Sequence, residues 1–443
     1  MKKRVRFSPT VIVSLIVVAF LIFLRFYQIP QRFIFDIDVQ YQALLAKTII
    51  NHFHIIWIGV SASNVGYYLG PGLVYLTAFL LWLSKGNPVI LGYFASFISV
   101  LTIFSLYFVV KKVWNEKVAV FSSIIYGFTP MIINYDRKYW PIFVPLITVW
   151  FFYSLVKSQK ETRWLILSSI LIALSFHVHL SLMIFWLPLF WVIVKQFKRI
   201  KLITWILMIG SYLIITLPLI VFDFVHKFDN FLMPIRLIKT LLANKSTSHH
   251  LNLEYLVYFL ALVFLIMVLI FILKIKRNFA NVFLFCLCGL FILLYVFYPG
   301  PIQQYYLVFL FPLAAIAIAI FLQYLPKWVL FPLLSVFIIF NVYKFISQKS
   351  HGGLEAKKIF IEQVSKKINN DYYLDFDGNM DYEGWRYLFE AYGKKPSQSK
   401  TDTMFGWLYP NDISTLTPKL KLNVTTKAEK YYGLITCYHG CVK

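Results

Sequence analysis

Two carboxylates, Asp36 and Asp38 in the stretch FIFDIDVQYQALLA, stand just beyond a long apolar run near the start of the chain. A carboxylate held at a membrane surface can take the proton from an acceptor hydroxyl or amine. The plainer reading is a pair of acids that cap and solvate the start of a helix. A spacing of two puts their side chains about 200° apart on a helix, or on opposite faces of a strand, so only one points at a given site. A second cluster, Asp136, Arg137 and Lys138 in INYDRKYWP, packs both signs of charge between two apolar runs. Arg137 would grip a phosphate with its planar fork and Lys138 would add a point charge, while Asp136 would orient a base or ligate a metal. Against that stands an aromatic belt with snorkelling cations.

Three further groups have the right chemistry with less definite spacing. His177 and His179, in SFHVHLS, form an H-x-H that is too small to argue a metal site and reads better as a polar turn able to hydrogen-bond a substrate or loop. Gln303, Gln304, Tyr305 and Tyr306 follow a YPGP break; they would bond and stack on a sugar, or simply anchor the chain at an interface. Lys227, Arg236, Lys239, His249 and His250 are basic candidates that nothing in their spacing separates.

The elements that must position these groups are membrane spans. Of the 443 residues 60% are hydrophobic, 19% aromatic and only 14% charged, and the mean hydropathy is +0.70. These values exclude a soluble enzyme, a disordered chain and a disulfide-built secreted scaffold. Apolar runs near 20 residues predict eleven spans, near 11–29, 88–110, 117–134, 141–156, 164–178, 181–194, 202–222, 255–273, 279–298, 305–323 and 328–346. The net charge of +24 belongs to this part: the first 350 residues carry 30 basic and 8 acidic groups. No nucleic-acid partner is needed to explain it.

Orientation follows from where the basic residues fall. MKKRVRF, KKVWNEK, KSQKETR, KQFKRIK, KIKR and Lys327 hold 18 basic residues against only Glu116 and Glu161. The longer alternate loops hold nine, with six acids. The positive-inside bias therefore predicts a cytoplasmic N-terminus and an external C-terminal region in an integral cytoplasmic-membrane protein. Residues 164–194 are read as two short crossings, because one long crossing would put KQFKRIK outside. The first span carries no small-residue cleavage site and runs on into Arg25, which marks an anchor.

Two predicted external segments are long. Residues 30–87, broken by Asp36, Asp38, Asn64, Gly66 and the Gly70-Pro71-Gly72 turn, are expected to form helices along the membrane surface. Residues 351–443 read as a small external α/β domain after a transmembrane domain of residues 1–350. Ala356, Phe360, Val364 and Ile368 form its helical stripe, and YYLDF and YGLITCY its strands. Cys286 and Cys288 fall inside a span as packing thiols. Cys437 and Cys441 flank His439 and suggest a local disulfide first and a zinc site second.

The arrangement resembles the GT-C superfamily of polyprenyl-phosphate-sugar-dependent glycosyltransferases, in particular the bacterial enzymes related to protein mannosyltransferases and the aminoarabinose transferase. That family opens its first loop with an Asp followed five residues later by Ala, as in D-E-A-R-Y-A. Asp38 and Ala43 in DVQYQA match, with Val39 and Tyr41 in place of the Glu and Arg. GPGLVYL and KGNPVILGYF resemble the segments leading to span two. YDRKYWPIFVPL resembles an S-R-x-x-W-x-P loop, carrying Arg137, Trp140 and Pro141, with Asp136 at a position where relatives have a small residue. HVHLS matches at His179, and QQYYLVFLFP resembles an H-Y-L…P segment at Tyr306 and Pro312, with Tyr305 replacing the His.

The resemblance implies an all-α polytopic membrane fold of about eleven helices with a small C-terminal α/β domain. It implies that Asp38, with Asp36 as its possible substitute, is the catalytic carboxylate. It further implies transfer, with inversion, from a polyprenyl-phosphate-linked sugar donor to a lipid, glycan or protein acceptor on the external face. Arg137, Lys138, Asp136, His179, Tyr305 and Tyr306 would bind the donor phosphate and substrate. No cofactor is assigned, and a divalent metal stays open. The rival readings are a lipid or polysaccharide transporter and a non-catalytic relative. A transporter would put its ionisable groups near the bilayer midplane and show related halves; here they gather at loop ends.

Overall fold

The computed structural model describes residues 9–61, 67–233, 236, 279–297, 304–348, 353–366, 372–376, 384–396 and 420–424. In chain order the helices are α1 (Pro9–Phe26), α2 (Ile29–Arg32), α3 (Ile37–His52), α4 (Gly72–Leu83), α5 (Val89–Val113), α6 (Glu116–Phe128), α7 (Pro130–Tyr135) and α8 (Phe143–Ser158). They continue as α9 (Trp164–Val178), α10 (Trp186–Gln196), α11 (Leu202–Val225), α12 (Phe279–Phe297), α13 (Leu310–Leu322) and α14 (Lys327–Ser347). The C-terminal region adds α15 (Leu354–Ser365), β1 (Tyr372–Phe376), α16 (Trp385–Tyr392) and β2 (Leu420–Val424), the two strands pairing in parallel.

This is an integral multi-pass membrane protein. Among the described residues, Val89–Val113, Leu180–Arg199, Leu202–Val225 and Lys327–Ser347 are long and apolar enough to cross a bilayer, and shorter apolar helices stand beside them. Leu213, Ile214 and Leu217 on α11, and Val336, Ile339 and Phe340 on α14, are exposed, as helix faces turned to lipid tails would be. The expected span 255–273 lies outside the described residues, as do Asn64, Gly66, Gln303, Lys239, His249, His250, Ile368, Cys437, Cys441 and the YGLITCY strand.

The chain does turn back at His179. There an extended residue ends α9, a 3₁₀ turn (Leu180–Phe185) follows, and α10 runs back toward the start of α9. The return is fixed by Gln196 Nε2, which donates to Ser158 Oγ at 3.3 Å, and by Arg199 Nη1, which donates to the Gln159 carbonyl at 3.2 Å. α11 then runs parallel to α9, with Ser169 bonded to Met208 and His177 to Ile215.

One span departs from its expected bounds. The run 117–134 breaks into α6 and α7 because Pro130 lacks an N–H and pushes Thr129 to an extended conformation, ψ 116°. The buried ridge of α15 also differs from the expected stripe. Leu354, Lys357 and Ile361 face inward while Ala356 is exposed, because the Lys357 ammonium finds the Phe35 carbonyl at 3.0 Å. Through this ridge the C-terminal region shares one apolar cluster with α2, α3 and α4, including Phe33, Phe35, Leu354, Ile361, Trp385 and Phe389.

Candidate active site

Asp36 is the N-cap of α3: its side chain accepts from Val39 N at 3.2 Å, satisfying a donor that the first helical turn leaves open. Asp38 sits one residue into that helix, which buries Val39, Ala43, Leu44, Leu45 and Ala46. The Asp38 side chain stays exposed, yet protein crowds round it and displaces enough water to disfavour its charge. That desolvation, reinforced by Asp36 and opposed by Lys138, raises its pKa to about 6. Asp38 and Lys138 thus feel each other's charge without forming an ion pair within 4 Å.

Lys138 leans over the Tyr135 ring, 5.0 Å from its centre. Two residues on, Trp140 packs against His179 at 5.1 Å between ring centres and edge-on to Tyr305 at 4.7 Å. Tyr305 in turn meets Tyr306 at 4.7 Å and lies near enough to Asp38 and Asp36 to feel both charges. His179 Nδ1 accepts from the Ser181 amide at 3.1 Å, which leaves the proton on Nε2. Burial pushes its pKa down to about 4, so the ring is neutral at physiological pH. Four loops therefore bring Asp36, Asp38, Lys138, Trp140, His179, Tyr305 and Tyr306 together at one end of the bundle. The surface they form has an accessible carboxylate, a cation beyond contact distance and an aromatic wall. It can accept a proton, balance an anion and stack on a sugar ring.

Asp136 and Arg137, neighbours of Lys138, turn away from this surface. Asp136 is 1% exposed. It pairs with Arg25 at 3.2 Å, and accepts from Ser99 Oγ at 2.6 Å and the Tyr126 hydroxyl at 2.8 Å. Arg137, also buried, donates from Nη2 to the carbonyls of Leu24 and Tyr27 at the end of α1 and stacks over Phe345. The expectation that these two groups project as phosphate or metal ligands is corrected by this burial. Their polar heads are committed to the helix ends that meet here.

Arg25 is the residue that sequence reasoning missed. It is wholly buried, and besides Asp136 it donates to Ser99 Oγ at 2.7 Å and to the Gly127 carbonyl at 2.8 Å. The available signal was an arginine within an apolar span, which requires a partner; Asp136 is one of only eight acids before residue 351.

His177 has a structural place. Its Nδ1 accepts from Gly72 N at 3.0 Å and its Nε2 donates to the Ile215 carbonyl at 2.9 Å. The imidazole lies so close that a Cβ on Gly70 would come within 2.3 Å of it. After α11, Lys227 is exposed and Arg236 pairs with Asp229. Asn230 instead clasps the Tyr68 backbone, accepting from its N–H at 2.6 Å and donating to its carbonyl at 3.1 Å. Cys286 is exposed and Cys288 buried on α12. Among the described residues no group of three or more His, Cys, Asp or Glu gathers to hold a metal ion.

The architecture is that of the GT-C fold. The aminoarabinose transferase ArnT from Cupriavidus metallidurans, in the structure bound to undecaprenyl phosphate, superposes with a TM-score of 0.63 at 12% identity, covering 92% of this chain and 90% of its own. The Archaeoglobus fulgidus oligosaccharyltransferase in its apo form superposes at 0.53 and 12% identity, over 88% of this chain and 66% of its own. The oligosaccharyltransferase AglB from the same organism, in complex with an inhibitory peptide and a dolichol-phosphate, gives 0.52 at 12% identity, over 87% of this chain and 63% of its own. No protein-family model matches the sequence, and no curated protein matches it by sequence.

Proposed function

We propose that this protein is a glycosyltransferase that moves a sugar from a polyprenyl-phosphate donor to a lipid, glycan or protein acceptor, with inversion, on the external face of the membrane. The observation that carries the reading is Asp38: an accessible carboxylate of raised pKa, set across from Lys138 beside an aromatic wall. In the step envisaged, the acceptor O–H gives its proton to the Asp38 carboxylate while its oxygen attacks the sugar C1. The bond from C1 to the phosphate oxygen breaks with both electrons leaving on polyprenyl phosphate. Lys138 meets the charge that develops there. Trp140, Tyr305 and Tyr306 stack on the sugar, and His179 offers its Nε2–H. The fold likeness to proteins solved with undecaprenyl phosphate and dolichol-phosphate supports the donor class. In the same reading residues 351–443 form a small domain on the external side.

The test is sugar transfer from a purified polyprenyl-phosphate-linked donor to a membrane extract. Lys138→Met is expected to lower kcat by about 10²–10³-fold, the scale on which a lost donor to a developing oxyanion is felt. Lys138→Arg should keep a substantial part of the rate. A Lys138→Met enzyme as fast as the parent would remove Lys138 from the phosphate. Orientation is tested by reporters. A fusion after Arg199 is expected to read as cytoplasmic and one after Lys443 as external, given the 18 basic residues on the predicted inner side. An external signal at Arg199 would reverse the assignment of faces.

A further inference from the structure

We infer that the C-terminal region acts as the positioning clamp of the Asp36–Asp38 turn, with Gly384 and Lys357 as its positioning residues; the inference rests on the glycosyltransferase reading above. Residues 33–36 are non-helical, so their backbone groups need partners from elsewhere. The C-terminal region supplies them. Leu354 N donates to the Phe33 carbonyl at 2.9 Å, and the buried Lys357 Nζ donates to the Phe35 carbonyl at 3.0 Å while lying over the Trp385 ring at 5.4 Å. One turn into α3, Gln40 Oε1 accepts from Tyr387 N at 3.1 Å, and Tyr387 stacks on Phe35 at 5.6 Å.

Gly384 sets how closely the clamp closes. Its φ of +74° lies where side chains are strained, and a Cβ there would stand 2.7 Å from the Phe35 ring and 2.9 Å from the Asp36 carbonyl oxygen. That carbonyl accepts from Gln40 N at 2.9 Å, and the Asp36 side chain holds Val39 N, so displacing Asp36 loosens the turn that presents Asp38. Misplacement of a reacting group by about 1 Å costs about 10²-fold in rate.

The experiment compares full-length Gly384→Ala and Gly393→Ala with the parent in lipid nanodiscs. Gly393 is the matched control. A Cβ there meets Ser365 Oγ at 2.1 Å and Ile361 Cγ2 at 2.8 Å, atoms of the C-terminal region, whereas a Cβ on Gly384 meets Phe35 and Asp36 directly. Gly384→Ala is expected to lower kcat by about 10²-fold with donor KM unchanged, and to speed amide exchange at Val39 and Gln40. Gly393→Ala should keep kcat and leave those two amides slow. If Gly384→Ala does not accumulate, Lys357→Met, which removes the donor to Phe35, takes its place with the same expected pattern. Parent-like kcat in Gly384→Ala, or an equal loss in Gly393→Ala, overturns the clamp. If the parent itself transfers no sugar, the glycosyltransferase reading fails, and exchange at Val39 and Gln40 decides the clamp alone: unchanged exchange in Gly384→Ala overturns it.

Discussion

Asp38→Asn is expected to insert, fold and bind donor like the parent and to lose transfer by about 10²–10⁴-fold, the usual contribution of a positioned general base. The amide keeps the size and hydrogen-bonding reach of the carboxylate and removes its ability to take a proton. In the parent the working form is the deprotonated one, so the rate should rise with pH through about 6 and level off above it. The neighbours give that limb a sign that can be checked. Asp36 raises the Asp38 pKa, so Asp36→Asn should move the limb to lower pH; Lys138 lowers it, so Lys138→Met should move the limb upward. The measurement is kcat against pH for the four proteins, with expression matched. Full activity in Asp38→Asn would leave both acids as helix-capping groups and take away the central residue of the proposed mechanism.

The second large effect concerns stability. Arg25→Ala or Asp136→Ala leaves a buried charge without its ion partner, and breaking a buried pair in this way costs about 3–5 kcal/mol. Each single variant is therefore expected to lose monodisperse protein on heating at a clearly lower temperature than the parent. Arg25→Met combined with Asp136→Leu removes both charges and should recover much of the loss. Each charge has further partners to lose, Ser99 Oγ and the Tyr126 hydroxyl for Asp136, Ser99 Oγ and the Gly127 carbonyl for Arg25. Single variants as heat-resistant as the parent would show that this contact contributes nothing to holding α1 against α5 and α6.

What could be read from the chain and what could not divide along a physical line. Alternating crossings put every second loop at one end, so the sequence could place Asp38, Lys138, His179 and Tyr305 at the same end of the bundle. The return at His179 depended on charge placement alone and is present in the structure. The direction of a side chain within a tight turn is another matter. Asp136, Arg137 and Lys138 are consecutive, yet two face inward and one faces the site, because the partner that draws Asp136 in lies 111 positions earlier at Arg25. The α15 stripe was right in part, since Phe360 and Val364 pack against the cluster, and missed its buried ridge for a similar reason. A lysine at a buried position looks polar to any periodicity count, and only the distant Phe35 carbonyl makes Lys357 an inward residue.

The two ends of the transmembrane part are fastened to each other. Arg32 Nη1 donates to the Phe345 carbonyl at 2.9 Å, and Nη2 donates to those of Ile346 and Gln348 at 3.1 and 3.0 Å. The Phe345 ring is held between the guanidinium groups of Arg32 and Arg137, each 4.9 Å from its centre. On the ribosome Phe345 is made 313 residues after Arg32, and it also follows Arg137. Until the last span has left the translocon, Arg32 has no helix end to cap and Arg137 no ring to cover it. A nascent chain stopped before Phe345 thus leaves Arg32 without its helix-end acceptors and Arg137 without its ring.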